Sequence, residues 1–143
     1  SAVIAKGDLL QKWPPGAHTS TFQGNPIACA VACATLREIE NSKLIEHVSN
    51  SIALCFGRLK NDLISNDFVK DVRFVGAQCA IEFNNSLTAN EVQKLALSQA
   101  KLLTYGGGRK GECVLLLPPI NIDETILHHA LNSLLEIISQ GLP

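Results

Sequence analysis

The residues best suited to chemistry lie together in GAHTSTFQGNPIACA, residues 16–30. Thr19, Ser20 and Thr21 offer hydroxyl donors, His18 an imidazole, and Asn25-Pro26 the opening of a helix. Asparagine is a favoured N-cap because its side-chain oxygen accepts first-turn amides, and proline suits the first helical position, where a missing N–H costs nothing. A helix start carries unpaired N–H groups and the positive end of the helix dipole. Hydroxyls directly upstream then make a combination suited to phosphate. The same residues also suit a plain capped helix after a polar, water-binding turn.

The cysteines at 29, 33, 55, 79 and 113 include no C-x-x-C pair, and no closely spaced histidine completes a zinc set. No metal is expected on that ground. Free cysteine is among the residue types most often found inside, so the thiols are expected in the core. That expectation includes Cys29 and Cys33, four apart among alanines and valine.

These residues must be positioned by surrounding elements. SAVIA, residues 1–5, reads as a buried strand leading to a turn at Gly7-Asp8, and Pro14-Pro15 breaks the chain. Pro26 to about Glu40 is rich in alanine and good helix formers, giving a tightly packed helix whose small side chains admit a close neighbour. From about Leu44 a second helix carries the stripe Val48, Ile52, Cys55, Leu59 and Leu63. VRFV and CAIEF then read as antiparallel strands with Gly76 at a bulge or hairpin corner. Thr88 and Glu91 stand in capping-box spacing, predicting a helix with Val92, Leu95 and Ala96 inward that ends near Lys101. Strand, glycine-rich loop and strand follow until Pro118-Pro119. Asn121 and Glu124 repeat the capping-box spacing before a closing helix lined by Leu127, Leu131, Leu134, Leu135 and Ile138. The fold class expected is α/β in the α+β sense: a small, mostly antiparallel sheet with helices covering one face.

Composition bounds the function classes. With 143 residues the chain is the size of one domain, and 46% hydrophobic against 17% charged residues favours a packed core over disorder. A net charge of −1 gives no polyanion-binding surface, so no nucleic acid is expected. No apolar run reaches membrane-span length and the amino terminus lacks a signal-peptide layout, so no membrane and a cytoplasmic location are expected. The absence of methionine suggests that an upstream portion is missing.

HTSTFQGNPIACAVACATLREIE, VRFVGAQCAIEF and VLLLPPINIDETILHHALNSLLEII, in this order and at this separation, resemble the carboxyl-terminal part of class III aminotransferases. That group comprises pyridoxal-phosphate (PLP) enzymes of fold type I, the ornithine, 4-aminobutyrate and diaminobutyrate aminotransferases among them. The resemblance implies that Thr21, with Ser20 before it, hydrogen-bonds the cofactor phosphate across a homodimer interface. His18 lies close to that loop and is a weaker candidate for contact with cofactor or substrate. It further implies that residues 1–25 are the tail end of the large PLP-binding domain with the phosphate loop, and residues 26–143 the carboxyl-terminal small domain. Many members carry an arginine three residues before the paired prolines, where it clamps a substrate carboxylate; here that position is Leu115. Arg109 and Lys110, at the tip of GGGRKG, are the replacement candidates, Arg109 foremost, although a basic glycine-rich tip is also an ordinary solvated loop. Phe74 and Ala80 stand where many members have glycine, a change of packing near the hairpin.

The resemblance also places the Schiff-base lysine shortly before a segment like SAVIA, so no catalytic residue is expected within this chain. Lys6 and Lys12 fall outside the family's lysine motif and read as surface residues. The expected function is that of a fragment of a transferase moving an amino group between an amine or amino acid and a 2-oxo acid, inactive alone. Such a fragment would expose apolar surface at SAVIA and the alanine-rich helix, with self-association or partial disorder of residues 1–25. The alternatives are a non-catalytic binding or assembly module, and one half of a split enzyme whose other chain supplies the lysine.

Overall fold

In a computed structural model the described residues are 3–140, arranged as two compact units that divide between Ser42 and Lys43. The first unit holds a single helical turn, α1 (Gly7–Leu10), where the sequence suggests only a turn, and the longer α2 (Pro26–Asn41). Val3–Ala5 form no strand, against expectation, and Ser1 and Ala2 lie outside the described residues. A strand needs a ladder partner, and the sheet of the described residues contains none for this segment. Ile4 is accordingly 95% exposed.

The helix α2 begins where Asn25 and Pro26 predict. Asn25 Oδ1 accepts from the amides of Ile27 at 2.9 Å and Ala28 at 3.3 Å. None of its residues is buried, which corrects the expectation of a tightly packed helix and agrees with the expectation that a fragment exposes apolar surface there. Ile27, Val31 and Leu36 stand exposed, and so do Cys29 and Cys33. An alanine-rich face confers close packing only where another element meets it, and among the described residues none covers this one. Cys55, Cys79 and Cys113 are buried as expected, and burial pushes the Cys79 thiol up to about 12. A thiol reagent applied to the native chain is therefore expected to modify Cys29 and Cys33 rapidly and the other three only on unfolding; rapid labelling of Cys79, read by peptide mass, contradicts this burial pattern.

The second unit is a four-stranded antiparallel sheet with helices against it. Its elements are α3 (Leu44–His47), a π-helical segment (Val48–Ile52), α4 (Ala53–Leu63), β1 (Val69–Val75), β2 (Gln78–Phe83), α5 (Ser86–Ala100), β3 (Tyr105–Gly107), β4 (Cys113–Leu116) and α6 (Glu124–Ser139). The helix predicted from Leu44 thus widens over VSNSI, a stretch of β-branched, hydroxyl and amide residues that hold regular helix weakly. Strand order is β1-β2-β4-β3, every neighbouring pair antiparallel. Gly76 turns the β1–β2 hairpin at φ +56°, a left-handed conformation that costs glycine little.

α4 packs on β1, α5 lies against β2, β3 and β4, and α6 contacts both helices. Ile52, Leu59 and Leu63 from the predicted stripe meet Val92, Leu134 and Ile138 in one core. In α6 Ile137 is buried while Leu135 is only partly so, as the helical phase at those positions requires. Both capping boxes prove to be displaced. Asn85, not Thr88, caps α5 by accepting the Thr88 amide at 2.9 Å, and Asp123, not Asn121, caps α6 by accepting from Thr125 at 2.8 Å and Ile126 at 3.2 Å. β3 ends in glycines, and a Cβ on Gly107 would come within 3.0 Å of the Leu115 side chain, so a larger residue there would have to displace that leucine by a few tenths of an ångström.

Candidate functional site

The hydroxyl loop precedes α2 as an exposed turn. Gly16 at φ +82° and Gly24 at φ +72° bend it, while Gln23 N–H donates to Ser20 C=O and Asn25 N–H to Phe22 C=O. His18 stacks tilted on Trp13 with ring centroids 5.6 Å apart. Those two rings, with Ser20 and Phe22, line a recess of about 620 Å³. Thr21 is exposed beside it.

The helix start itself is closed to an anion, which corrects one part of the phosphate reading. Pro26 has no N–H, Ile27 and Ala28 donate to Asn25 Oδ1, and Cys29 donates to Asn25 C=O. The donors that remain on the turn include the Thr19, Ser20 and Thr21 hydroxyls, all in exposed positions. Hydroxyls on a glycine-flanked turn fit a phosphate as one wall of a site. Lys6 and Lys12 are exposed, as expected. Among the described residues no polar or charged side chain is buried, so no lysine is held in an enclosed setting.

Arg109 and Lys110 lie on the loop after β3, both exposed, and the Lys110 amide donates to Glu112 Oε2 at 2.7 Å. They share a recess of about 410 Å³ with Lys70, Glu82 and Glu112, so a carboxylate there would meet three cations and two anions. Leu115 occupies β4 in a row running across the outer sheet face. Arg73 pairs with Ala80, Ala80 with Leu115, and Leu115 with Tyr105. Two of the three departures from the family pattern, Ala80 and Leu115, are therefore direct neighbours. The third, Phe74, points to the core side and meets the Phe56 ring at 6.0 Å.

Arg73 is a cation that sequence reading missed. Its guanidinium contacts Glu82 at 2.7 Å and Asp71 at 3.1 Å, while Lys70 also holds Glu82 at 2.5 Å. Lys70 first and then Arg73 hold the Glu82 carboxyl below its ordinary range, and the Ile126 and Thr125 amides do the same for Asp123. Depressed carboxyls contribute stability above their unfolded values, 4.5 for glutamate and 3.8 for aspartate, and lose it as the pH falls through the folded values. The urea midpoint should thus fall between neutrality and a pH of about 3, and Glu82→Gln with Asp123→Asn should flatten that fall. An equally steep acid limb in the double variant contradicts the assignment.

A second cluster joins α4 to α6. Cys55 Sγ lies 3.5 Å from His128 Nε2, Glu124 Oε1 lies 3.7 Å from the same nitrogen, and Arg58 Nη1 approaches it at 3.5 Å. Burial, then the Glu124 carboxylate, raise the Cys55 thiol, with Arg58 opposing. The i,i+4 spacing of Glu124 and His128 was visible in the sequence, but Cys55 is 73 residues from His128 and only the fold unites them.

With the sheet, its helices and the TSTFQGNP loop in place, the architecture is that of the fold-type I aminotransferases. The chain belongs to the family "Aminotransferase class-III", whose model matches residues 1–138. It is 32% identical over 136 residues to an acetylornithine aminotransferase of Oceanobacillus iheyensis, covering 95% of this chain and 33% of that protein. An ornithine aminotransferase structure from Plasmodium yoelii superposes with a TM-score of 0.77 at 28% identity, over 93% of this chain and 36% of that one. Another, from Toxoplasma gondii and described with partial occupancy of PLP at its active site, gives a TM-score of 0.75 at 27% identity, over 92% and 31%. The chain thus spans about a third of the length of the relatives it matches.

Proposed function

We propose that this chain is the carboxyl-terminal portion of a PLP-dependent class III aminotransferase that moves an amino group between an amine or amino acid and a 2-oxo acid in the cytoplasm. In this reading residues 1–25 complete the large domain and residues 26–143 form the small domain, within a homodimer. The observation that carries it is the exposed Ser20-Thr21 turn, whose hydroxyls stand clear of the helix cap formed by Asn25. Bound there by its phosphate, PLP supplies an electron sink for substrate carbanion character. Ser20 and Thr21 donate hydrogen bonds to that phosphate, and Asn25, by satisfying the first turn of α2, fixes the loop that presents them. Arg109, with Lys110 beside it, offers an ion pair to a substrate carboxylate from the β3–β4 loop.

Catalysis itself belongs outside these residues. In this reading the lysine that carries the cofactor and moves a proton is the one the family resemblance places before the segment like SAVIA. The 143-residue chain alone is therefore expected to show no amino transfer from an amino acid to a 2-oxo acid. The test is the intact mass of the natural gene product, with and without borohydride reduction. A product roughly three times this chain's length that gains one reduced cofactor supports the reading. A product of this chain's length without an adduct overturns it and leaves the binding module or the split enzyme.

A further inference from the structure

The cluster between α4 and α6 has the dimensions of a metal site. Cys55, Glu124 and His128 each offer one ligand atom, and all three atoms lie within 4.8 Å of one another. Tetrahedral zinc with bonds of about 2.3 Å to sulfur and about 2.0–2.1 Å to nitrogen and oxygen requires ligand-to-ligand edges of roughly 3.4–3.6 Å. The Sγ···Nε2 separation of 3.5 Å and the Nε2···Oε1 separation of 3.7 Å already approach those edges. Side-chain rotation of the exposed Glu124 closes the remainder. Thiolate, imidazole and carboxylate together form the mixed donor set that borderline divalent cations prefer.

We infer that Cys55, Glu124 and His128 form a binding site for a thiophilic divalent cation of the zinc type, with water as the fourth ligand. Binding breaks the S–H bond of Cys55, releases its proton to solvent and forms a sulfur–metal bond. His128 contributes the Nε2 lone pair, its proton residing on Nδ1, and Glu124 an oxygen. Two anionic ligands balance the charge of the cation. Cys55 is buried, His128 half-buried and Glu124 exposed, so the site is rooted in the core and open on the Glu124 side to entry of metal and water. The exposed Arg58 competes for the same space, and its long side chain swings out to solvent when a cation enters. The cation then clips α4 to α6, raising the stability of the unit through mass action.

The test is titration of the metal-free full chain with Co²⁺, followed by displacement with Zn²⁺. A Cys29→Ser/Cys33→Ser background removes the exposed thiol pair on α2, which is a competing site. One Co²⁺ per chain with a thiolate-to-cobalt charge-transfer band is expected. Cys55→Ser and His128→Gln should weaken binding at least about tenfold, Glu124→Gln several-fold, and Arg58→Gln should tighten it. Cys55→Ser is the smallest change of shape that removes the sulfur, and circular dichroism of each metal-free variant establishes that it folds. Absence of the band in that background overturns the site, as does a band that survives Cys55→Ser or His128→Gln.

Discussion

Replacing Ser20 and Thr21 together by alanine is expected to weaken retention of PLP by the full-length protein by about 100-fold. A hydrogen bond to a charged group contributes about 1.5–3 kcal/mol, and a loss of about 3 kcal/mol for the pair corresponds to roughly 100-fold in affinity. These hydroxyls matter because the usual alternative is closed. The amides at the start of α2 are already spent on Asn25, so the helix end cannot substitute for them. Thr21→Ser keeps a donor and should hold the cofactor nearly as well as the native chain. Asn25→Ala tests the supporting role separately: it removes the cap, costs about 1 kcal/mol of helix stability and loosens the loop without deleting a phosphate donor. Equilibrium dialysis at fixed protein concentration reads all three. Affinity of the double variant within about twofold of the native protein would sink the phosphate assignment while leaving the family membership intact.

Much of the fold was legible because it rests on local periodicity. The stripe from Ile52 to Leu63, the VRFV and CAIEF strands around Gly76 and the inward leucines of α6 all emerge from spacing alone, and their inward residues, among them Ile52, Leu59, Leu63, Val72, Ile81 and Leu134, form the core. Cap positions were not. A capping box is a spacing that many polar segments satisfy by chance, whereas the working cap is the residue whose backbone turns extended. Asn85 does so at φ −153° and Asp123 at ψ 136°, and Glu91 faces Lys94 at 3.5 Å instead of the cap. The errors in the first unit share one cause. Val3–Ala5 and the alanine-rich helix have apolar patterns that presuppose a neighbour, and pattern reading assigns burial without asking whether the described residues contain the partner. For the site, the contiguous hydroxyl loop could be read directly. The Arg73–Glu82–Lys70 network and the Cys55–His128 contact could not, since strand pairing and helix packing create them across long separations.

Phe56→Ala is expected to cost about 3–5 kcal/mol of unfolding free energy in the second unit, the largest stability loss proposed for a single residue here. Phe56 is 0% exposed in the first turn of α4, so its removal leaves a cavity enclosed by helix and sheet. Its ring also meets Phe74 at 53° with centroids 6.0 Å apart. Domains are stable by only about 5–15 kcal/mol, so such a loss removes a large share of the total. Leu54, two residues away and 58% exposed, provides the internal control: Leu54→Ala should change stability by about 0.5 kcal/mol or less. Urea unfolding followed by far-ultraviolet circular dichroism compares the midpoints, and a Phe56→Ala loss below about 1 kcal/mol contradicts the packing described. A cycle with Phe74→Ala separates the ring contact from burial. Coupling of about 0.5–1.5 kcal/mol is expected if the tilted pair is intact, and additivity would mean that Phe74, one of the departures from the family pattern, fills space without gripping its neighbour.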